Sequence, residues 1–296
     1  MKESFGDRIF MVFNYVLVTL ALIVVLYPLI YIVSASISDP THVNSGQMWL
    51  YPIEVTFEGY KRVFSDPEIW LGYRNTIFYT VCGTGINLLI TLPAAYALAR
   101  KDFVGRNFFM GMFVFTMFFS GGLIPTYLVV REFGLINTVW AMLLPQAAAV
   151  WNIIICRTFF QMTIPRELQE SAEIDGCSNL ALFAKVVLPL SAPIIAVMAL
   201  FYGVMHWNSY FNALIYISDR KLYPLQLILR EILVMQEMSA SMMMQGDTME
   251  NLARQARIAD IIKYAVMIVA SLPLIIIYPF MQRYFVKGVL LGSLKG

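Results

Sequence analysis

Six stretches of the chain carry no charged residue: 9–38, 75–99, 107–130, 133–156, 186–218 and 264–282. A helix crosses a bilayer with about 20 apolar residues. These runs are apolar on every side rather than along one stripe, a pattern that lipid tolerates and water does not. They predict an all-helical polytopic membrane protein with six spans, at about 9–33, 75–99, 108–130, 136–155, 190–212 and 264–284. Prolines 28, 93, 125, 145, 273 and 279 lie in or near these runs and read as kinks, which membrane helices accept. Three polar stretches interrupt the pattern. Residues 39–74 and 219–263 are long loops, and 163–189 holds a dense acidic segment.

Composition agrees with one membrane domain over residues 1–296: 59% of residues are hydrophobic, 14% are charged, and the mean hydropathy is +0.69. Net charge +2 without a basic run of five argues against nucleic acid as a partner. Cys82, Cys156 and Cys177 are too few and scattered for a disulfide framework, and read as small apolar residues. The first residues run into an apolar segment without a small-residue cleavage site, so they are read as an uncleaved first span. With both ends placed inside the cell, that side holds eleven Lys and Arg against seven Asp and Glu, and the other holds ten against twelve. Basic residues collect on the cytoplasmic side, so both termini and loop 163–189 are expected there. The protein is expected in a bacterial-type cell membrane.

Loop 163–189 has the marks of order. Pro165 suits a first helical turn, where its missing N–H costs nothing. Glu167 and Glu170 fall near the positive end of that helix dipole, with Glu173 and Asp175 following. Gly176 fits the position after a helix end, where a left-handed backbone is needed. A second short helix, 180–187, is expected to stop at Pro189. Two short helices at an angle make a rigid knob suited to a socket on another protein. A plain solvated loop leaves unexplained why about 30 residues stand where turns of a few suffice.

The spacing is also specific. Glu170-Ser171-Ala172, three residues, Gly176, nine residues, then Val186-Val187-Leu188-Pro189 resembles the EAA loop of ABC importer permeases, with Ser171 and Val186 in place of Ala and Ile. The segment FFQMTIPRELQESAEIDG, the fifth-run HWNSYFNALI, the GLIPTYLVV and GLINT stretches and the tail RYFVKGVLLGSLKG are similar to the smaller permease subunit of the maltose-type oligosaccharide class. YPLQLILREIL is similar to a subgroup that handles plant or algal polysaccharide fragments. The resemblance implies a second homologous six-span permease, a cytoplasmic ATPase dimer and an extracytoplasmic solute-binding protein. It implies that Glu167, Glu170, Ser171, Ala172, Glu173, Asp175, Gly176, Leu188 and Pro189 couple to the ATPase, with Glu170 and Glu173 facing its cleft. Residues 287–296 would add contacts to it. ATP and Mg belong to that partner, and this chain binds no cofactor. Loop 219–263 would reach the binding protein, with Tyr223, Gln226, Arg230, Met242, Met243 and Met244 as the contact residues.

In the fifth run, His206, Trp207, Asn208, Tyr210 and Asn212 place polar and aromatic groups at membrane depth. Such groups line a sugar pathway, or serve as interfacial belt and helix contacts, and the sequence leaves both open. The methionines of 235–249 read as an adaptable contact surface rather than a metal site. No Gly-x-x-x-x-Gly-Lys, His-Glu-x-x-His or Gly-x-Ser-x-Gly occurs, and two histidines give enzyme chemistry little to build on. The expected role is transport of an oligosaccharide, without catalysis by this chain. Rival cargoes are peptides, amino acids or anions, but charged cargo calls for Lys or Arg within the runs. A secondary transporter or membrane-embedded enzyme calls for carboxylates there, and the runs have neither.

Overall fold

The computed structural model describes residues 5–242, 262–279 and 282, and every regular element among them is helical. It divides into two compact units, residues 1–69 with 229–272 and residues 70–228 with 273–296.

In the first unit, α1 (Phe5–Ser36) is 32 residues long, roughly 48 Å at 1.5 Å per residue. Its most apolar stretch is uncovered by the chain, as expected of a helix that meets lipid or another subunit. Its end is tied down by hydroxyls. Ser34 Oγ donates to Leu50 O at 2.6 Å, Ser38 Oγ to Ser34 O at 2.7 Å, and Ser36 Oγ lies 2.7 Å from Tyr60 Oη. Ala35, Val43 and Met48 close a small core there. The expected loop 39–74 is thus a folded cap, with α2 (Pro40–Asn44) started by the Asp39 side chain and α3 (Glu58–Ser65).

Helix α4 (Pro67–Ala99) starts eight residues before the expected second span. Asp66 Oδ1 accepts from Glu68 N at 2.8 Å, and Pro67 takes a first-turn place where no N–H is required. This polar start signal lies outside the apolar run, so the helix outreaches the run.

Three expected spans are broken. The third is α5 (Arg106–Phe118) and α6 (Leu123–Glu132), which meet at 115°. Gly122 at φ +86° supplies the bend, with its N–H on Ser120 Oγ at 3.1 Å and its carbonyl accepting Thr126 Oγ1 at 2.8 Å. The fourth is α7 (Trp140–Leu143) and α8 (Val150–Thr163), separated around Pro145. The 14 residues of α8 cover roughly 21 Å, short of the ~30 Å hydrocarbon core. The fifth divides between α12 and α13, and the elements of loop 163–189 lead into it. After α9 (Arg166–Ile174) and α10 (Asn179–Leu182), a wide π turn (Phe183–Val187) leads into α11 (Leu188–Leu190). Helices α12 (Ala192–Trp207) and α13 (Phe211–Tyr216) follow, and the 179–190 arm meets α12 at 82°. A 3₁₀ turn (Arg220–Leu222) precedes α14 (Leu225–Met242), and α15 is Ile262–Pro279. Among the described residues, three helices are long and apolar enough to cross a membrane, or up to five if each bent pair is one span.

The second unit has two cores. Leu92, Ala95, Ile153, Cys156, Phe160, Leu182, Val187, Met198 and Tyr202 join α4, α8, the 179–190 arm and α12. Tyr79, Met142, Ala213, Tyr216 and Leu227 join α4, α7, α13 and the start of α14. Asn137 pins this second core. It sits at φ +60°, donates its N–H to Tyr216 O at 2.8 Å, and its Oδ1 accepts from Ser218 N at 3.0 Å and Asp219 N at 2.8 Å. Asn137→Ala, which loses both side-chain bonds and keeps the left-handed strain, is expected to cost about 2 to 4 kcal/mol. Asn137→Gly relieves the strain and costs less. Melting midpoints of the detergent-purified proteins test the order.

Candidate functional site

The acidic segment folds as a knob on the first of these cores. Pro165 stands at the N-cap of α9 with φ −63°, and Glu167 lies in the first turn. Asp175 caps the other end, and Gly176 follows at φ +70°. Cys177 N donates to Ala172 O at 2.9 Å and Gly176 N to Glu173 O at 3.1 Å, the paired bonds of a Schellman turn. Ala172 and Cys177 pack on the core, so the helix lies down on its small-residue side. Glu167, Glu170, Ser171, Glu173, Asp175 and Gly176 are exposed. So are two apolar tips, Ile174 at 86% and Leu180 at 76%.

The chain then turns back through Ser178, whose Oγ accepts from Ala181 N at 3.3 Å. Pro189 does not stop the second helix, contrary to expectation. Leu188 N reaches back five residues to Phe183 O, and this wide turn accommodates the proline ring, so helical structure continues to Leu190. Leu188 is half-buried and Pro189 exposed.

Arg100, just past the end of α4, anchors the knob. Its side chain is only 8% exposed, and all five of its N–H donors are used. Nε and Nη2 fork onto Asp102 at 2.8 and 2.6 Å. Nη2 also donates to Glu173 Oε1 at 3.0 Å, and Nη1 to Asn179 Oδ1 at 3.0 Å and Tyr96 Oη at 3.3 Å. Glu173 was expected to face an outside partner; the structure turns it onto Arg100, although its side chain stays 56% exposed. Glu170 pairs with Arg166 at 3.3 Å, and both remain exposed. Beside the anchor lies a cleft of about 660 Å³, in which Lys101, Arg106 and Arg166 mix with Asp102, Glu170 and Glu173.

The hydrogen bonds from Arg100 hold the Asp102 carboxyl below the ordinary carboxylate range, and those to Asp102 and Tyr96 hold the guanidinium above its own. A depressed carboxyl contributes stability above its unfolded pKa of about 4 and loses it as pH falls through the lower folded value. A spin label on Ser171 is therefore expected to keep one mobility from pH 8 to about pH 5 and to loosen below about pH 4. Asp102→Asn is expected to bring part of that loosening to neutral pH.

The fifth-run residues separate into two groups. His206 is 2% exposed and Trp207 4%, both buried within the chain, so neither offers a surface to a passing solute. His206 Nε2 lies 2.7 Å from Asn87 Oδ1, while Asn87 Nδ2 donates to Gln146 O at 2.6 Å and Ala147 O at 2.9 Å. With both amide hydrogens spent on carbonyls, Asn87 accepts through Oδ1, which places a proton on His206 Nε2. This relay ties α4, α12 and the break near Pro145, a packing role for His206 that agrees with the helix-contact alternative and not with the sugar-pathway one. Asn208 and Tyr210 are exposed and Asn212 half-buried.

The start of loop 219–263 is likewise embedded. Pro224, Leu225, Leu227 and Ile228 are buried, Leu225 N donates to Thr76 Oγ1 at 2.8 Å, and Asn75 Nδ2 donates to Lys221 O and Tyr223 O at 2.7 and 3.0 Å. Tyr223 and Gln226 are half-buried, whereas Arg230 is exposed. Met243 and Met244, and the tail from 283 onward, lie outside the described residues, as do the surroundings of the Met242 side chain.

Residues 69–291 match the family described as binding-protein-dependent transport system inner membrane component. The chain belongs to this family. The permease is 42% identical over 296 residues to the polygalacturonan/rhamnogalacturonan transport system permease protein YtcP of Bacillus subtilis (strain 168), covering all of both chains. It is 41% identical to Protein LplC of the same organism, over all of this chain and 98% of that one. Its fold superposes with a TM-score of 0.84 and 34% identity on a chain from the crystal structure of a bacterial ABC transporter involved in the import of the acidic polysaccharide alginate, over 96% of this chain and 99% of the other. The fold is therefore that of a type I ABC importer permease, and the protein is a transport subunit rather than an enzyme.

Proposed function

We propose that the permease is one of two homologous six-span subunits of an ATP-driven importer of oligosaccharides, specifically fragments of acidic polysaccharides. The single domain 1–296 crosses the membrane six times, with α5–α6 and the α11–α13 segment as bent crossings and both termini in the cytoplasm. The basic residues that collect at one end of the helices support this orientation. The observation that carries the reading is the knob: a Schellman-closed acidic helix, fixed to the core, at the spacing of an EAA loop. It docks on a cytoplasmic ATPase dimer that holds ATP and Mg, with Glu167, Glu170, Asp175, Ile174 and Leu180 at the contact. Closure of the ATPase moves the knob and exchanges inward- and outward-open states, a rigid-body transition.

An extracytoplasmic binding protein delivers the sugar, and Arg230 with the methionine-rich segment after it forms part of its landing surface. Asn208, Tyr210 and Asn212 line the pathway. The cargo class is supported by relatives named for polygalacturonan, rhamnogalacturonan and alginate. The absence of Lys and Arg from the six apolar runs supports recognition of acid groups by the binding protein or the partner permease. Disruption of the gene in its host tests the cargo. Uptake of oligogalacturonides is expected to be lost while uptake of a dipeptide and an amino acid continues; the reverse pattern would contradict the assignment.

A further inference from the structure

The Arg100 cluster does more than stabilise a loop. Its five donors reach four separate pieces of chain: the last turn of α4 through Tyr96, the following loop through Asp102, α9 through Glu173, and the first position of α10 through Asn179. Both arms of the knob are thus gripped by one planar, permanently charged group at the end of a 33-residue helix. The side chain is buried enough to be shielded from salt, and its bonds are charge-assisted. Nothing of Arg100 is left over for an outside partner.

Further along, α4 is bound to α12 by two buried bonds, Thr91 Oγ1 to Tyr202 Oη at 2.6 Å and Asn87 to His206 at 2.7 Å. Displacement of the knob reaches α12 directly, through the arm that runs into it, and reaches α4 through Arg100 beside the packing of Leu182 and Phe183 near Ala95 and Tyr96.

We infer that Arg100 is the positioning residue that makes α4 and the knob one lever, so that ATPase closure is transmitted to α4 through its guanidinium. This rests on the ATPase-docking reading above.

The test uses the intact complex, with its partner chains, in lipid, and the probe is Mg-ATP with orthovanadate. A spin label is placed on α4 at Ile77, which is 52% exposed, in a chain whose three native cysteines are replaced by alanine. In the parent complex the trapped nucleotide changes the label's spectrum. With Arg100→Gln the ATPase is expected to co-purify in parent amounts while that change falls at least about fivefold, the scale of a typical coupling free energy. Arg100→Lys restores only part of it, since an ammonium lacks the fork that spans these partners.

Glu173→Gln, on an exposed carboxylate, is expected to reduce the change about twofold by itself and by nothing further in the Arg100→Gln background. It also keeps the test readable if Arg100→Gln fails to insert. A parent-like response of Arg100→Gln overturns the inference, as do Arg100→Gln and Glu173→Gln effects that multiply as independent ones. Loss of the ATPase with Arg100→Gln overturns it too, because Arg100 would then shape the docking surface instead of linking it to α4. A parent complex without any ATPase removes the docking reading itself, and this inference with it.

Discussion

Gly176→Pro is expected to leave the permease in the membrane in parent amounts, with uptake and ATPase recovery reduced to background. Gly176 holds φ +70°, and proline is confined near −65°. Its substitution also deletes the Gly176 N–H bond to Glu173 O, and with it the turn that lets Cys177 reach Ala172. The knob's return arm would leave in a new direction, while the helices that hold the chain in the membrane are untouched. Gly176→Ala separates shape from strain. No atom lies within 4 Å of where its Cβ would stand, so the cost is that of the left-handed backbone, about 1 to 2 kcal/mol, and uptake should be reduced but measurable. Glu170→Lys approaches the same surface through charge. The Glu170–Arg166 pair is exposed and worth at most about 1 kcal/mol, so folding should survive while a docking acid becomes a base. Full uptake by both Gly176→Pro and Glu170→Lys would contradict the docking role of the knob.

The second large effect is expected within the second unit, at Gly83. A Cβ there would overlap the His206 ring, which is buried and bonded to Asn87 and so has nowhere simple to go. Gly83→Ala must break that bond or part α4 from α12, a cost of about 2 to 5 kcal/mol from overpacking plus a lost buried hydrogen bond. Asn87→Ala leaves His206 and the carbonyls of Gln146 and Ala147 without their partner, at a similar cost. The two share one interaction, so their effects should fall well short of additive in the double variant. Melting midpoints in detergent measure all three. An unshifted midpoint for Gly83→Ala would show that the packing at His206 is loose.

The uncharged apolar runs made the helical class and the long helices α1, α4 and α15 legible, because an unbroken uncharged run has one stable form in lipid. It hid the breaks. Ser120-Gly121-Gly122 and Pro145 sit inside runs that hydropathy counts as continuous, and only their backbone chemistry marks the bends. The knob was readable because its signals are local: a proline start, acids in the first turns and a glycine exit. Pro189 misled, since a proline ends a helix only if the turn before it has the ordinary width. Arg100, Asn87 and Asn137 were missed for a common reason. Each acts through partners 50 to 120 positions away, such as Glu173, His206 and Ser218, and a lone polar residue at the edge of an apolar run has no spacing that announces its partner. Arg100 carried one usable hint, a basic residue at a span end followed closely by Asp102, though the same hint fits an ordinary membrane-facing anchor.

The most direct test of the account is recovery of the permease, tagged and expressed at native level, from its own membranes in mild detergent, with co-purifying chains identified by mass spectrometry. A second permease of the same family and a nucleotide-binding ATPase are predicted in stoichiometric amounts, with the ATPase lost from the Gly176→Pro preparation. Recovery of the chain alone, or an ATPase retained at parent level by Gly176→Pro, would contradict the claim that this knob couples the membrane helices to ATP hydrolysis.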